Sequence, residues 1–286
     1  MNQAFAMRPP VISYELLGEL MRQLKTHTGI ILDSTQSVIS YKVGERMAAL
    51  GIEHATEYLS IFDNSISARA EWLALTDLLT IKETRFFRQP EALTCTNEYL
   101  TGLFATNNQA PNEIAFWSAG CSTGQEVYSL SMVVENFVKN QKPWVEWHGI
   151  GTDLSFQAVH SAQQGKYSES AISSVPASYR KAFIDAGDGN DYQIAETLRA
   201  RTHFFHSNLL HVNNAPFTDF NIIFCQNVLI YFERATQLWI IDQLCERLRS
   251  GGLLVLGAGE DFRWKNAQMQ RMNFPGVTAY KKQELN

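Results

Sequence analysis

The stretch IAFWSAGCSTGQEVYSLSMVVENFV, Ile114 to Val138, runs an apolar segment through a turn of small residues into a second apolar segment with helical spacing. A strand that ends in such a turn and restarts as a helix is the opening half of a βα unit, with unpaired N–H groups at the helix start. Gly120 and Gly124 punctuate the turn, and glycine there admits positive φ and the close approach of a ligand. The turn therefore suits a nucleotide-like molecule. Its spacing is neither GxGxxG nor that of a phosphate-binding loop with its lysine. Glu126, near the helix start, suits a cationic group such as an amine better than a phosphate.

Three further apolar runs follow, WHGIGT (147–152), FNIIFC (220–225) and GLLVLG (252–257), separated by helix-length segments. That alternation predicts a mostly parallel sheet with helices on both faces, so the C-terminal two thirds reads as doubly wound α/β. The segment from Asp188 to Ser207, with YQIAETLRARTHFF, alternates only in part and reads as a small antiparallel addition.

In such sheets ligands sit at the C-terminal ends of the strands. GTDL places Asp153 at one such end, where a carboxylate can accept from both hydroxyls of a ribose or cap the next helix. CQNVLIYF, 225–232, ends another strand with Gln226 and Asn227, whose amides can hold a base or a carboxylate, and with the hydroxyl of Tyr231. Ordinary core aromatics are the competing reading for Phe232.

The N-terminal part is different in character. From Val11 to about Arg88 the pattern is helical, with Leu16, Leu17, Leu20 and Leu24 in one series and Val38, Ile39, Val43, Met47 and Leu50 in the next. Gly29 and Gly51 stand where such helices stop. The polar ATNNQA between Phe104 and Pro111 is the linker candidate.

A chain of 286 residues with 45% hydrophobic and 19% charged residues is globular and long enough for two units. A net charge of −5 argues against a nucleic-acid partner. The four cysteines, Cys95, Cys121, Cys225 and Cys245, form no CxxC pair, so reduced thiols are expected, with no metal site and no disulfide framework. No run reaches the ~18–20 apolar residues of a membrane span, and MNQAFAMRPP lacks the apolar core of a signal peptide. A cytoplasmic protein without membrane insertion is expected.

Together, TGIIL (28–32), TRFFR (84–88), WSAGCSTGQEVYS, SNLL (207–210), FNIIFCQNVLIYF and SGGLLVLG (250–257) closely resemble, in order and spacing, the CheR family of S-adenosylmethionine-dependent chemoreceptor glutamate methyltransferases. The resemblance spans nearly the whole chain. It implies an all-α N-terminal domain, 1–95, facing the receptor. A Rossmann-type methyltransferase domain, 96–286, would follow, with a small β-subdomain near 188–207. It implies that S-adenosylmethionine contacts fall on Thr84, Arg88, Glu126, Asp153, Asn208, Leu209, Gln226 and Asn227. Asp153 would hold the ribose, and Asn208 and Leu209 would lie near the adenine. Arg88 would neutralise the methionine carboxylate and Glu126 the amino group. Tyr231 and Arg88 would serve the reacting centre, and the partner would be the cytoplasmic helices of a methyl-accepting chemoreceptor.

The chain departs from the family pattern in four places. Gln226 replaces the usual arginine before Asn227, Lys82 stands where an asparagine contacting the cofactor is common, and the acidic pair after GCSTG is reduced to Gln125 and Glu126. The second helical series, Ser37 to Leu50, offers only Lys42 and Arg46, where family members are often densely basic. Weaker steering towards an acidic receptor is expected, so the receptor could be one governing surface or pilus-based motility. Two other readings stay open: a non-catalytic module that senses S-adenosylmethionine, and a methyltransferase acting on another protein or a small carboxylate.

Overall fold

The computed structural model describes residues 10–63, 66–105, 111–187, 189–261 and 263–284. Residues 106–110 of the expected linker, residues 1–9 and Asp188 lie outside them. Contacts divide the chain between Ile81 and Lys82 into two units, so the division falls earlier than the boundary at 95 read from the sequence. The second unit takes the TRFFR segment and the helix after it, which packs on the central helix Gln125–Gln141.

The first unit is built from α1 (Tyr14–Thr28), α2 (Gln36–Ala49), α3 (Ala55–Ser60) and α4 (Ile66–Leu79). Gly29 ends α1 in the left-handed region, φ 77°, returning its N–H to the Lys25 carbonyl. Leu17, Leu20, Leu24, Ile39, Val43, Met47, Tyr58, Leu75 and Leu79 form one core. Val38 and Leu50, read from spacing as part of the apolar series, are exposed instead, one residue off the buried stripe. Helical structure also stops at Leu79 rather than near Arg88. Phe87, at φ 51°, cannot continue a right-handed helix.

Charge is handled inside this unit. Buried Glu71 accepts from Arg46 Nε at 3.0 Å and Nη2 at 2.6 Å, and from the Tyr58 hydroxyl at 2.6 Å. Lys42 Nζ donates to the Leu78 carbonyl at 3.0 Å. Both cations of α2 are thus engaged by α4, and its exposed residues include Val38, Tyr41 and Glu45.

In chain order the second unit runs α5 (Pro90–Leu103), β1 (Glu113–Ala119), α6 (Gln125–Gln141), β2 (Glu146–Asp153) and α7 (Phe156–Gln164). Then come β3 (Lys166–Ser168), α8 (Glu169–Ile172), α9 (Ala177–Phe183), β4 (Ile184–Ala186), β5 (Asp191–Ile194), α10 (Glu196–Arg199) and β6 (Thr202–His206). β7 (Phe220–Cys225), α11 (Arg234–Glu246), β8 (Leu248–Leu256), β9 (Met269–Arg271) and β10 (Thr278–Lys282) complete it. The main sheet has the order β6-β2-β1-β7-β8-β10-β9. Its first five members are parallel, and β10 and β9 are added antiparallel. β7 is buried at every position and β1 at all but its first, as a central strand covered on both faces must be. This is the Rossmann-type doubly wound sheet read from the apolar runs.

The segment after 188 divides between two sheets. β5 pairs antiparallel with β3 and β4 in a small three-stranded sheet, whereas Thr202–His206 joins β2 in parallel at the edge of the main sheet. The β-subdomain therefore spans about 166–194 and excludes β6. The sequence hid the second crossover because the helix before β6 is only four residues long.

Replacing Glu71 by alanine strands the Arg46 guanidinium and the Tyr58 hydroxyl, and should cost about 1.5–3 kcal/mol in urea unfolding, the range for hydrogen bonds to charged groups. Glu71→Gln, which keeps one acceptor, should lose less.

Candidate functional site

Going outward from β1, the order of connections reverses, with β2 and β6 on one side and β7 and β8 on the other. The switch point lies between β1 and β7 at their C-terminal ends, where doubly wound sheets take ligands in a crevice. The 120–126 turn leaves β1 there and the 226–231 loop leaves β7.

The turn is held from several sides. Gly120 and Cys121 donate N–H groups to the Thr152 carbonyl at 2.8 and 2.9 Å, and Ser122, at φ 49°, donates its N–H to Asp153 Oδ2 at 2.8 Å. Asp153 Oδ1 accepts from the Ser155 N–H at 2.8 Å, while the cap of α7 is Ser155 itself. Asp153 thus braces the turn rather than capping a helix. The Tyr167 hydroxyl donates to the Thr123 carbonyl at 2.7 Å. Gly120 and Gly124 both have positive φ, 86° and 94°, but neither leaves space open. A Cβ on Gly120 would lie 2.3 Å from Val228 Cγ2, and one on Gly124 would lie 2.8 Å from Ala162 Cβ. These glycines let protein, rather than a ligand, approach the turn.

The segment from Lys82 to Arg88 lies along the same end of the sheet. Ser122 Oγ donates to the Lys82 carbonyl at 3.2 Å, the Phe87 N–H donates to Ser129 Oγ on α6 at 3.0 Å, and Phe86 is fully buried edge-on to Tyr167. Half-buried Thr84 sits between these tethers. Lys82 Nζ donates to Gln157 on α7 at 2.8 Å, and its charge acts on Asp153. Exposed Arg88 donates to the Glu83 carbonyl at 3.1 Å and lies within electrostatic reach of Glu126.

Glu126 accepts from the Ser118 hydroxyl at 2.7 Å. Burial pushes its carboxyl up to about 7, with the negative charge of Glu260 adding to the rise and the Ser118 hydroxyl and Arg88 opposing it. Burial also raises Asp153, against the N–H groups of Ser155 and Ser122 and the charges of His206 and Lys82. Across the crevice, Gln226 Nε2 donates to Gln89 Oε1 and, at 3.3 Å, to the Leu256 carbonyl. Asn227 has φ 58° and Tyr231 closes the short 3-10 turn Leu229–Tyr231. Asn208 follows β6, where the Ser207 N–H donates to the Asp153 carbonyl at 2.9 Å, and its Oδ1 accepts from Leu210 at 2.9 Å. Leu209 beside it is buried. The residues singled out from sequence thus gather at one end of four adjacent strands, β6, β2, β1 and β7, apart from the 82–88 segment that lies over the turn.

Sequence reasoning missed Ser118, Gln89, Gln237 and Glu260. The signal for Glu260 was present: an acid just past the end of an apolar parallel strand, in LLVLGAGE. All four cysteines are buried and free, and burial holds the Cys121 and Cys225 thiols well above their ordinary range. Among the described residues no group of His, Cys, Asp and Glu is placed to hold a metal ion, and no helix is long and apolar enough to cross a membrane.

Comparison with known proteins gives a match to the model of the CheR methyltransferase SAM-binding domain over residues 82–277. A chemotaxis protein methyltransferase of Vibrio anguillarum is 31% identical, the alignment covering 93% of this chain and 96% of that one. One of Borreliella burgdorferi is 25% identical, over 88% and 90% of the two chains. Among solved structures, an O-methyltransferase family protein from Burkholderia thailandensis aligns with a TM-score of 0.40 at 14% identity, covering 78% of this chain and 61% of that one.

Gly120→Ala should destabilise the fold by about 1–3 kcal/mol, the usual cost of overpacking a filled site. Val228→Ala in the same chain should recover part of that loss in thermal unfolding, because it removes the side chain that a Cβ at 120 would strike.

Proposed function

We propose, from the premise that the chain belongs to the CheR methyltransferase family, that it transfers a methyl group from S-adenosylmethionine to glutamate side chains of a chemoreceptor. The observation that carries this reading is Glu126, a half-buried carboxylate at the switch point with the Ser118 hydroxyl as its one hydrogen-bond partner among the described residues. A partly desolvated acid without a bonded cation favours a cationic partner.

The residues present fit the cofactor. Glu126 and Arg88, within reach of each other, match the amino and carboxylate groups of a zwitterion. Both oxygens of Asp153 are engaged by backbone N–H groups, yet each keeps a lone pair for a ribose hydroxyl. Asn208, Leu209, Gln226 and Asn227 supply amides and an apolar wall at the same strand ends. Bound there, S-adenosylmethionine supplies a methyl group on a positively charged sulfur.

The chain's own part in transfer is alignment and exclusion of water. A glutamate substrate is already ionised near neutral pH, so no strong base is needed. Stripping water from a carboxylate held in line with a cationic methyl donor favours a reaction in which both charges disappear. Tyr231, at the mouth of the crevice, orients the substrate or the methyl group and takes no proton. Gln226 keeps hydrogen-bonding capacity at a position where the charge of an arginine would otherwise stand.

The receptor is read from α2. Arg46 is neutralised by Glu71, Lys42 is held to the Leu78 carbonyl, and exposed Glu45 stands between them, a weak positive field for a strongly acidic partner. A receptor of different charge pattern, serving surface or pilus-based motility, fits this face better.

The test is transfer of labelled methyl from S-adenosylmethionine to membranes carrying the organism's own chemoreceptors. Base-labile label that disappears with Asp153→Ala is expected. Tyr231→Phe should keep affinity for S-adenosylhomocysteine and lower turnover. Label absent from every receptor despite cofactor binding would overturn the reading in favour of a sensing module or another substrate.

A pH dependence follows from Glu126. With its carboxyl near 7, the acid is neutral at lower pH and must lose a proton before it can pair with an ammonium group. Affinity for S-adenosylhomocysteine should therefore rise as pH climbs towards 7, by up to about tenfold per pH unit for one linked proton, and level off above it. Calorimetry on Glu126→Gln should lose that rise.

A further inference from the structure

Glu260 is only 1% exposed, and none of the motifs read from the sequence includes it. Its Oε2 accepts the N–H groups of Asn227 at 2.8 Å and Gly257 at 2.9 Å, its Oε1 accepts that of Ile230 at 3.2 Å, and the Leu229 N–H also bonds to it. Three of these donors belong to the loop that leaves β7 and carries Asn227 and Tyr231. The strand end that carries Glu260 is shaped to admit it. A Cβ on Gly257 would lie 2.0 Å from Oε2 and 2.9 Å from the Asn227 nitrogen.

The opposite polarity of the same loop is satisfied by a second buried side chain. Gln237 on α11 donates Nε2 to the carbonyls of Leu229 and Phe232, both at 2.9 Å. A carboxylate from one side thus takes the loop's N–H groups, and an amide from the other takes its carbonyls. Val228, between them, fills the space beside Gly120. The loop conformation includes Asn227 in the left-handed region, which a non-glycine residue holds only when its surroundings determine it.

Resting on the function proposed above, we infer that Glu260 is a positioning residue: its carboxylate fixes the 227–231 loop and so sets where Asn227 and Tyr231 stand in the crevice. It touches neither cofactor nor substrate. A carboxylate suits the task because both oxygens are acceptors, and bonds from N–H to an ionised acceptor are stronger than neutral ones. Burial raises its pKa against the pull of those N–H groups.

Glu260→Gln separates the two halves of the clamp. The remaining carbonyl oxygen can serve Asn227 and Gly257, which share Oε2, while the new NH2 faces the Ile230 N–H, donor against donor. The Asn227 end should stay in place and the Tyr231 end should loosen. In the full-length chain, compared above about pH 8, where Glu126 is ionised with or without the Glu260 charge, Glu260→Gln should bind S-adenosylhomocysteine as the wild type does. Hydrogen exchange at Ile230 should rise about tenfold, the weight of one lost hydrogen bond.

Methyl transfer should lose up to about a hundredfold in kcat, the size of effect a misplacement near 1 Å produces, with little change in KM for S-adenosylmethionine. Because the loss acts through Tyr231, Glu260→Gln with Tyr231→Phe should be no slower than the slower single variant. Should Glu260→Gln fail to fold, Glu260→Asp, which keeps the charge but withdraws it by one methylene, is read by the same measurements and should show the same loosening. Wild-type exchange at Ile230, or kcat losses that multiply in the double variant, would overturn the inference. A wild type that binds S-adenosylhomocysteine but methylates no receptor would sink the proposed function instead, and amide exchange would still decide the role of Glu260.

Discussion

Taking a carboxylate out of water is costly unless its oxygens find donors, and the second unit gathers one buried and two half-buried carboxylates at one end of its sheet. Asp153 and Glu260 are compensated by backbone N–H groups from the turn and loop they brace. Glu126 receives one hydroxyl, and burial lifts its carboxyl to about 7. Two of the acids are thus answered by backbone groups, and the third by a single side chain. The local geometry depends on this arrangement: the left-handed Ser122 and Asn227 are each held by the carboxylate that takes their N–H.

Topology makes the gathering possible. Because β1 and β7 are adjacent although a long stretch of chain separates them, the turn leaving one and the loop leaving the other meet at the same end of the sheet. β2 and β6 bring Asp153 and Asn208 alongside, and β8 brings Glu260 beneath the loop. Glycine serves this convergence by letting segments touch: Gly120 admits Val228 and Gly257 admits the Glu260 carboxylate. Site and core are therefore one packing problem.

The parallel strands announced themselves as apolar runs, and Asp153 and Asn227 by their place at strand ends, because a buried strand must be apolar and its exit must turn polar. Short elements were another matter. Four-residue α10 disguised the crossover into β6, and single-residue spacing could not tell buried Ile39 from exposed Val38. Gly120 and Gly124 were legible as left-handed turn residues, but what fills the space beside them was not, since Val228 and Ala162 approach from distant parts of the chain. Glu260 was legible as an acid just past an apolar strand, but its task was not, because its partners are backbone groups of a distant loop. The inward direction of Lys42 and Arg46 was equally hidden, as it depends on Leu78 and Glu71 of another helix.

On the proposed reading, S-adenosylmethionine sits at the β1 and β7 exits. Photocrosslinking of methyl-labelled S-adenosylmethionine to the full chain, followed by peptide mapping, locates it. Label within 117–126 or 225–232 is the predicted result. Label confined to the pocket along the sheet edge, lined by Gln163, Arg199 and Phe205, would contradict that reading.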